Sequence, residues 1–212
     1  MTTTRRALVV IDVQQVYFDG PLEVQYPPHA ESLSRVTRAI DAANASGIPI
    51  VAVQHSRGED APLFNPTQAD FQLHPEVAAR RTGDWKQFVK QNSSIYAGTD
   101  LGDWLRSQGV DTVTLVGYMT NNCVLAAAVE AEYLGFATEV LSDATGAVNL
   151  ANDAGTVDAE TVHTTLMTLL NSNWAAVAST EDWTRALEAQ QPLPKGDLGS
   201  SAVEGAAQAA TV

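Results

Sequence analysis

The sequence predicts an α/β fold built on a parallel sheet of six strands that is covered by helices. Short runs of β-branched and other apolar residues alternate with amphipathic segments along most of the chain, which is the pattern of such sheets. The 212 residues are enough for one large domain with a sizeable core, and the 45% hydrophobic and 17% charged residues are typical of a globular protein. One α/β domain therefore accounts for both the length and the composition.

The first half of the chain contains three predicted strands. Apolar runs predict the first two strands at 7–11 and 48–54. A helix that ends at Gly47 is predicted between them from one apolar face, formed by Leu33, Val36, Ile40 and Ala43. A polar segment then continues to about residue 81, which is longer than a simple connection, and such loops often line sites. The third strand follows at 88–90.

The second half of the chain contains the other three predicted strands. Glycines that follow apolar helical patterns, at Gly109 and Gly135, mark two of the helix ends. In chain order the predicted elements are a helix from 101 to Gly109, a strand at 110–117, a helix at about 123–134, a strand at 136–141, a helix at 162–170, a strand at 174–178 and a helix at 181–189.

The composition changes after the last predicted helix. From residue 191 the chain is rich in Pro, Gly, Ser and Ala and has no apolar period. We therefore expect residues 1–190 to form the domain and residues 191–212 to be a mobile tail.

Charge and cysteine content narrow the classes of function. The formal net charge of −13 repels phosphate backbones and anionic lipids, so we expect neither a nucleic-acid nor a membrane partner. No apolar run approaches the roughly 18 residues that a transmembrane helix needs. The apolar run behind Arg5 and Arg6 is interrupted by Asp12 and does not fit an export signal. Because Cys123 is the single cysteine, no internal disulfide can form, and we expect a cytoplasmic protein.

Polar residues follow two of the predicted strands. In open α/β sheets, ligands bind at the carboxyl ends of the strands, where the strand order reverses. The first strand leads directly into Asp12, and the fourth leads through Gly117 to Cys123. The sequence therefore offers a carboxylate at one strand end and a thiol at another.

A cysteine in the first turn of a helix suits nucleophilic chemistry. The helix dipole and the unpaired amides lower a thiol's pKa, so we expect Cys123 to favour the thiolate. The same amides can bind the oxyanion of an attacked carbonyl, an effect worth roughly 3–4 kcal/mol per donor. A nearby carboxylate could take the thiol proton, and a lysine could stabilise both groups. Taken singly, each residue has a simpler explanation: an inert thiol for Cys123, a turn cap for Asp12 and a surface amine for Lys90.

Three ordered segments resemble the motifs of the isochorismatase-like cysteine hydrolases. The first contains Asp12, Gln14 and Tyr17, where that family has Asp-x-Gln-x-x-Phe. The second, residues 90–101, is similar to the family's Lys-x-x-x-Ser-Ala-Phe-x-Gly-Thr-x-Leu, with Tyr for Phe and Ile for Ala. The third, residues 117–124, is similar to Gly-x-x-Thr-x-x-Cys-Val. Any one match is weak, but three in order within about residues 7–180 form a strong signal.

This resemblance implies a three-layer α/β/α fold with the strand order 3-2-1-4-5-6, in which the first and fourth strands are neighbours. It implies that Cys123 is the nucleophile, Asp12 the general base and later acid, and Lys90 the cation that stabilises both. It also implies a cis peptide bond at Tyr118–Met119, which would aim the amides of Met119 and Cys123 at the developing oxyanion. Relatives are commonly dimers or tetramers, so the resemblance implies a homodimer or homotetramer.

Further residues are candidates for the substrate pocket. We expect substrate contacts from Gln14, Tyr17, Tyr96 and Tyr118, although aromatic residues at such positions are core residues just as often. His55 follows the second strand, where nicotinamidase-type relatives begin a metal site, but the Asp of that site is missing here. We therefore interpret His55 as a pocket wall or a loop residue, and we predict no metal and no cofactor.

The resemblance implies an amide hydrolase that works through a covalent acyl-enzyme. Family members that cleave the vinyl ether of isochorismate lack the cysteine, so Cys123 argues for cleavage of a carbon–nitrogen bond in an amide, lactam, carbamoyl or ureido compound. Three alternatives stay open: vinyl-ether cleavage, a catalytically idle scaffold or assembly subunit of the same fold, and a nucleotide-binding module. The last of these lacks a glycine-rich phosphate loop after the first strand, where Gln14 and Gln15 stand.

Overall fold

A six-stranded parallel sheet forms the centre of the molecule. The structure is a computed structural model that describes residues 4–209. Five strands of this sheet are β1 (Arg6–Ile11), β2 (Ile50–His55), β3 (Lys86–Lys90), β4 (Thr112–Tyr118) and β5 (Ala137–Gly146). The sixth is β8 (Ala176–Ala178), because the strands β6 and β7 form a separate hairpin, described below. Their order across the sheet is β3-β2-β1-β4-β5-β8. The central strands are continuous apolar runs because both faces of the sheet are covered.

The predicted fold class and strand order are confirmed. β1 pairs in parallel with β2 and β4, so that Ile11 stands beside Val53 on one side and beside Gly117 on the other. The sixth predicted strand is the eighth in the chain because an antiparallel hairpin, β6 (Leu150–Asn152) and β7 (Gly155–Val157), precedes it. All residues of this hairpin are exposed, so it has no buried side whose apolar alternation could have revealed it.

Helices cover both faces of the sheet. The helices over one face are α1 (Val16–Asp19), α2 (His29–Ser46), α3 (Pro75–Ala78) and α7 (Thr180–Glu188). Those over the opposite face are α4 (Leu101–Ser107), α5 (Leu125–Leu134) and α6 (Ala159–Asn173). Val10 packs into the first core and Val9 into the second, because successive side chains of a strand point to opposite faces. Within residues 4–209, no helix is long and apolar enough to span a bilayer.

The C-terminal segment contains a helix that the sequence does not predict. Residues 191–212 were expected to be a mobile tail, but α8 (Leu198–Ala209) lies in it and contacts α6. None of the α8 residues is buried, so no apolar face marks the helix in the sequence. The structure thus adds a helix to this segment, and its mobility stays a prediction. Residues 1–3 of the predicted domain and residues 210–212 of the predicted tail lie outside the described residues.

A buried charged cluster closes the amino end of the sheet. Arg6 Nη2 lies 2.8 Å from Glu139 Oε1, and both side chains are almost fully buried. Glu139 also accepts hydrogen bonds from the Thr114 hydroxyl (2.7 Å) and the Trp183 indole (3.1 Å). Arg6 donates in addition to the Gln191 carbonyl (2.6 Å), which fastens the start of the C-terminal segment to the sheet. The charges of this cluster are therefore paired and hydrogen-bonded, as buried charges must be.

Candidate active site

Asp12 follows β1 directly and lies in a strained backbone conformation. Its φ of 50° is in the left-handed region, which costs a non-glycine residue about 1–2 kcal/mol. The Asp12 N–H donates to Val53 O (2.9 Å), and its carbonyl accepts from the Gln14 N–H (2.7 Å). The side chain is completely buried. These bonds hold the carboxyl group at the carboxyl end of β1, and strain of this kind is often found at functional sites.

The segment after β4 brings Cys123 to the same edge of the sheet. The peptide bond Tyr118–Met119 is cis. The next residues, Thr120–Val124, form a π-helical turn that is closed by the Val124 N–H donating to Met119 O (3.2 Å), and α5 continues from it. Cys123 therefore lies in this wider turn ahead of α5, and the expected position in the first turn of an α-helix is corrected. The reason is that the turn closes its hydrogen bond over five residues instead of four.

Lys90, the last residue of β3, joins the carboxyl group and the thiol. Its Nζ lies 2.7 Å from Asp12 Oδ2 and 3.2 Å from Cys123 Sγ. The Asn92 carbonyl and His55 Nδ1 are each also 3.2 Å from Nζ. The side chains of Lys90 and Asp12 are 0% exposed, and Cys123 is 2% exposed. The structure thus brings the three predicted catalytic residues together at one buried point.

Burial governs the protonation of this group. It raises the pKa of the Cys123 thiol to about 12; the Asp12 charge adds to the rise, and Lys90 opposes it. The expected lowering of the thiol pKa is therefore corrected, because loss of hydration outweighs the attraction of Lys90. Burial likewise raises the pKa of Asp12 against the effect of Lys90. The sulfur keeps its proton at neutral pH, and the neighbouring Asp12 carboxyl group forms a side-chain hydrogen bond with it.

Gln14 lies next to this group but serves the backbone. Its amide donates to His55 O (3.1 Å) and to Phe71 O (2.8 Å), and its Oε1 accepts from the His55 N–H (2.8 Å). Both amide hydrogens are used, and the side chain is completely buried. Gln14 therefore holds the end of β2 against the loop that follows it, in place of the predicted substrate contact.

The two predicted pocket tyrosines on this side of the sheet differ in their surroundings. Burial, followed by the charges of Asp12 and Cys123, raises the pKa of Tyr17 well above its usual value, so its phenol lies near the reactive group. Tyr118 packs its ring 5.5 Å from that of Tyr17, and its hydroxyl forms a 2.8 Å hydrogen bond with Ser32 of α2. The Tyr118 hydroxyl is thus committed to the core, whereas Tyr17 remains a candidate for substrate contact.

Tyr96 faces the other end of the sheet. Its ring stacks on Phe136, the residue before β5, with centroids 6.1 Å apart and planes at 8°. Its hydroxyl is buried and has no hydrogen-bond partner in the described part of the chain. Phe136 stands at the amino end of β5, opposite the edge that holds Cys123. The second motif therefore folds this aromatic residue into the core, in place of the predicted substrate contact.

His55 and Phe64 belong to the site although the motifs do not contain them. His55 stands in register with Lys90 on the neighbouring strand and contacts its ammonium group. Phe64 places its ring edge-on to His55 (4.9 Å) and 5.8 Å from that of Tyr17, and its backbone φ is 56°. The length of the loop after β2 pointed to this region. The position of His55 after the second strand predicted a pocket wall or a loop residue, but its contact with Lys90 depends on the pairing of β2 with β3. No signal in the sequence marks Phe64.

His55, which the sequence offered as a possible metal ligand, lies against a positively charged group. His55 contacts the Lys90 ammonium, and burial together with the charges of Lys90 and Arg57 lowers the pKa of His55 to about 4. Across residues 4–209, no three His, Cys, Asp or Glu side chains are grouped so that they could hold a metal ion. The donors that a metal site requires are therefore not assembled around His55.

Comparisons with known proteins agree with the three motifs. The family model of the isochorismatase domain matches residues 6–182. The uncharacterized isochorismatase family protein YddQ of Bacillus subtilis (strain 168) is 31% identical over 183 residues, which cover 85% of this chain and 98% of YddQ. The ureidoacrylate amidohydrolase RutB of Yersinia enterocolitica is 26% identical over 174 residues, which cover 68% of this chain and 76% of RutB.

A solved structure has the same architecture over nearly the whole length. An isochorismatase-like protein from Burkholderia xenovorans LB400, known from its crystal structure, is 41% identical and superimposes with a TM-score of 0.95. The match covers 99% of this chain and 100% of the other. With the family model matching most of the sequence and the fold shared end to end, the chain belongs to the isochorismatase family.

Proposed function

We propose that this protein hydrolyses a carbon–nitrogen bond of a small-molecule amide, with Cys123 as the nucleophile of a covalent thioester intermediate. The observation that carries the proposal is the position of Lys90 Nζ, 2.7 Å from Asp12 Oδ2 and 3.2 Å from Cys123 Sγ. A carboxyl group, an ammonium and a thiol in mutual contact within a buried site are the parts that acyl transfer through sulfur requires.

The first half of the reaction forms the acyl-enzyme. As Cys123 Sγ attacks the carbonyl carbon of the substrate, the thiol proton passes to the Asp12 carboxylate. The carbon–sulfur bond forms and the carbonyl electrons move to oxygen, where the amides of Met119 and Cys123 are the donors that we assign to the oxyanion. The carbon–nitrogen bond then breaks, Asp12 gives its proton to the leaving nitrogen, and a thioester remains on Cys123.

Water completes the cycle. The ionised Asp12 takes a proton from a water molecule, whose oxygen attacks the thioester carbon. When the second tetrahedral intermediate breaks down, the carbon–sulfur bond is cleaved, the acid is released, and the sulfur regains its proton from Asp12. The Lys90 ammonium contacts both groups and stabilises whichever of them bears the negative charge. This scheme uses side chains and two backbone amides of the protein together with water.

The relatives and the burial of the site support a compact amide as substrate. RutB is named a ureidoacrylate amidohydrolase, and its similarity extends over most of its length. Because Cys123 is only 2% exposed, a small molecule with an accessible carbonyl suits the site better than a polymer. Amides, lactams, carbamoyl compounds and ureido compounds share the carbonyl–nitrogen bond that the geometry addresses.

A screen for released ammonia or amine over a panel of such compounds tests the proposal. We expect activity in the wild-type protein and a loss of about 1,000-fold or more in Cys123→Ala and in Asp12→Asn. Asp111→Asn is the matched control, since Asp111 bonds Arg5 at the amino end of β4, and it should keep the wild-type rate. Mass spectrometry of the acid-quenched reaction should find an acyl group on Cys123. Amine release that survives in Cys123→Ala would contradict the proposal.

A further inference from the structure

His55 contacts the reactive group, yet the scheme above gives it no part. Its Nδ1 lies 3.2 Å from Lys90 Nζ, and the two residues are paired in the β2–β3 ladder. Lys90, Asp12 and Cys123 are almost completely buried, whereas His55 is only partly buried. A polar ring in van der Waals and hydrogen-bonding contact with the central cation therefore needs an explanation of its own.

The Lys90 ammonium has more acceptors than hydrogens. Four acceptor atoms lie within 3.2 Å of Nζ, namely Asp12 Oδ2, Cys123 Sγ, Asn92 O and His55 Nδ1. An ammonium group has three hydrogens and no lone pair, so Nδ1 is the acceptor in this contact and the ring hydrogen is on Nε2. A neutral ring can accept in this way, and the pKa of His55, lowered to about 4 by burial and by the charges of Lys90 and Arg57, keeps the ring neutral at pH 7.

Several contacts hold the His55 ring in this orientation. Gln14 donates to the His55 carbonyl (3.1 Å) and accepts from its N–H (2.8 Å). The Phe64 ring stands at 89° to the imidazole with the centroids 4.9 Å apart. Phe64 is itself fixed, because its N–H donates to Asp70 Oδ2 (2.9 Å) and its carbonyl accepts from the Arg57 N–H (3.1 Å). Moving the ring out of this plane would break the ring packing that this loop supplies.

We propose, on the basis of the proposed function, that His55 is a positioning residue that anchors the Lys90 ammonium beside Cys123. Nδ1 and the Asn92 carbonyl hold the ammonium by two contacts that do not involve the reacting atoms. When the thiol proton moves to Asp12, the carboxylate loses its charge and the sulfur becomes the anion that Lys90 must stabilise. An ammonium held by His55 remains beside the sulfur at that moment instead of moving with Asp12.

The test follows the Cys123 thiolate and needs no substrate. Ultraviolet absorbance of the thiolate and the rate of alkylation by iodoacetamide both report on one sulfur, because Cys123 is the single cysteine of the chain. Both are measured from about pH 6 to about pH 12, a range that begins below the pKa of a free thiol, about 8.5, and reaches the raised pKa of Cys123, about 12. The variant Cys123→Ser provides the tyrosine background of the absorbance and the background of alkylation.

Three substitutions separate the acceptor atom from the bulk of the ring. His55→Asn keeps an acceptor near the place of Nδ1, His55→Gln moves it outward, and His55→Leu removes it. We expect His55→Leu to slow alkylation at neutral pH about tenfold, His55→Gln to slow it less, and His55→Asn to stay within about threefold of the wild type. The same substitutions at His74 are the matched controls, since His74 Nδ1 accepts from the Glu76 N–H (3.3 Å) outside the site, and they should leave the thiol unchanged.

Two results would overturn the role of His55: wild-type thiol behaviour in all three variants, or equal losses in His55→Asn and His55→Leu. If His55→Leu does not fold, the test compares His55→Asn with His55→Gln. Equal rates of Cys123 alkylation in these two variants would overturn the proposal. Lys90→Met and Asp12→Asn separate this proposal from the proposed function. If they alter the thiolate and His55→Leu does not, only the role of His55 fails; if none of the three alters it, the proposed function fails as well.

Discussion

Gly117 and Ile11 approach each other so closely across the β1–β4 ladder that no side chain fits at position 117. A β-carbon there would fall 2.0 Å from the Ile11 carbonyl oxygen, and the φ of Gly117 is 104°. Ile11 is the residue before Asp12, and Gly117 leads into the segment that ends at Cys123. This contact therefore sets how closely the carboxyl group and the thiol can approach.

We expect Gly117→Ala to lower the free energy of unfolding by about 3 kcal/mol or more. The added β-carbon would clash with the Ile11 backbone, and the φ of this position is unfavourable for alanine. Gly135→Ala is the matched control: its φ is also positive, at 79°, but nothing lies within 4 Å of the added carbon. That substitution should cost about 1 kcal/mol. Urea unfolding at neutral pH measures both values. Equal losses at the two positions would show that the approach to Ile11 is not the constraint.

At position 64, glycine should be more stable than alanine, which reverses their usual order. Phe64 has a φ of 56°, where a β-carbon costs about 1–2 kcal/mol, and this exceeds the extra entropy loss of glycine, about 0.5–1 kcal/mol. Both variants lose the same buried ring, so their difference isolates the backbone. Phe71 is also buried but has no positive φ, and there alanine should be the more stable replacement. Chemical denaturation of the four variants measures their stabilities. The same order of glycine and alanine at positions 64 and 71 would refute the idea.

The Arg6–Glu139 pair should contribute far more to stability than a pair on the surface. Arg6→Met leaves the Glu139 charge buried without its partner, so we expect a loss of about 3–5 kcal/mol. Adding Glu139→Gln should recover part of this loss, because no charge is then unpaired. Arg185 and Glu181 form a pair with both side chains 61% exposed, and Arg185→Met should cost at most about 1 kcal/mol. Urea unfolding of these variants is the measurement, and a similar cost for Arg6→Met and Arg185→Met would contradict the expectation.

Stability should fall more steeply at high pH in the wild type than in Cys123→Ala. The thiol pKa is raised to about 12 in the folded state, against about 8.5 for a free thiol. Between these values the unfolded chain loses the thiol proton while the folded chain keeps it, so rising pH favours unfolding by up to about 1.4 kcal/mol per pH unit. The effect is absent below about pH 8 and is removed with the thiol. Denaturation of both proteins at about pH 8 and about pH 10.5 tests this, and parallel slopes would contradict the raised pKa.

Much of the fold could be predicted because its strands are continuous apolar runs. The run 7–11 lies within β1 (Arg6–Ile11), and 110–117 overlaps most of β4 (Thr112–Tyr118). Asp12 and Cys123 could be identified because ligands bind at the carboxyl ends of such strands. Lys90 and the strand order depended on the resemblance, since an apolar run does not show which strand is its neighbour.

The remaining features arise from contacts that leave no local pattern. The hairpin of β6 and β7 and the helix α8 bury no residue, so neither has an apolar face to detect. The segment around Tyr96 is similar to the family motif, but only the packed structure shows that the ring turns toward Phe136. The thiol pKa was expected to fall because a helix start was visible, whereas the burial that raises it depends on all the elements around Cys123.

The loop after β2 and the three reactive residues occupy separate stretches of the polypeptide. Asp12, Lys90 and Cys123 stand at the ends of strands or just beyond them, while Phe64 reaches the site from a connection that contributes no member of the trio. Exchanging this connection between homologues would accordingly change the wall that Phe64 forms against His55 and Tyr17, while Asp12, Lys90 and Cys123 themselves stay in place. Libraries confined to residues 56–70 offer a direct route to altered selectivity.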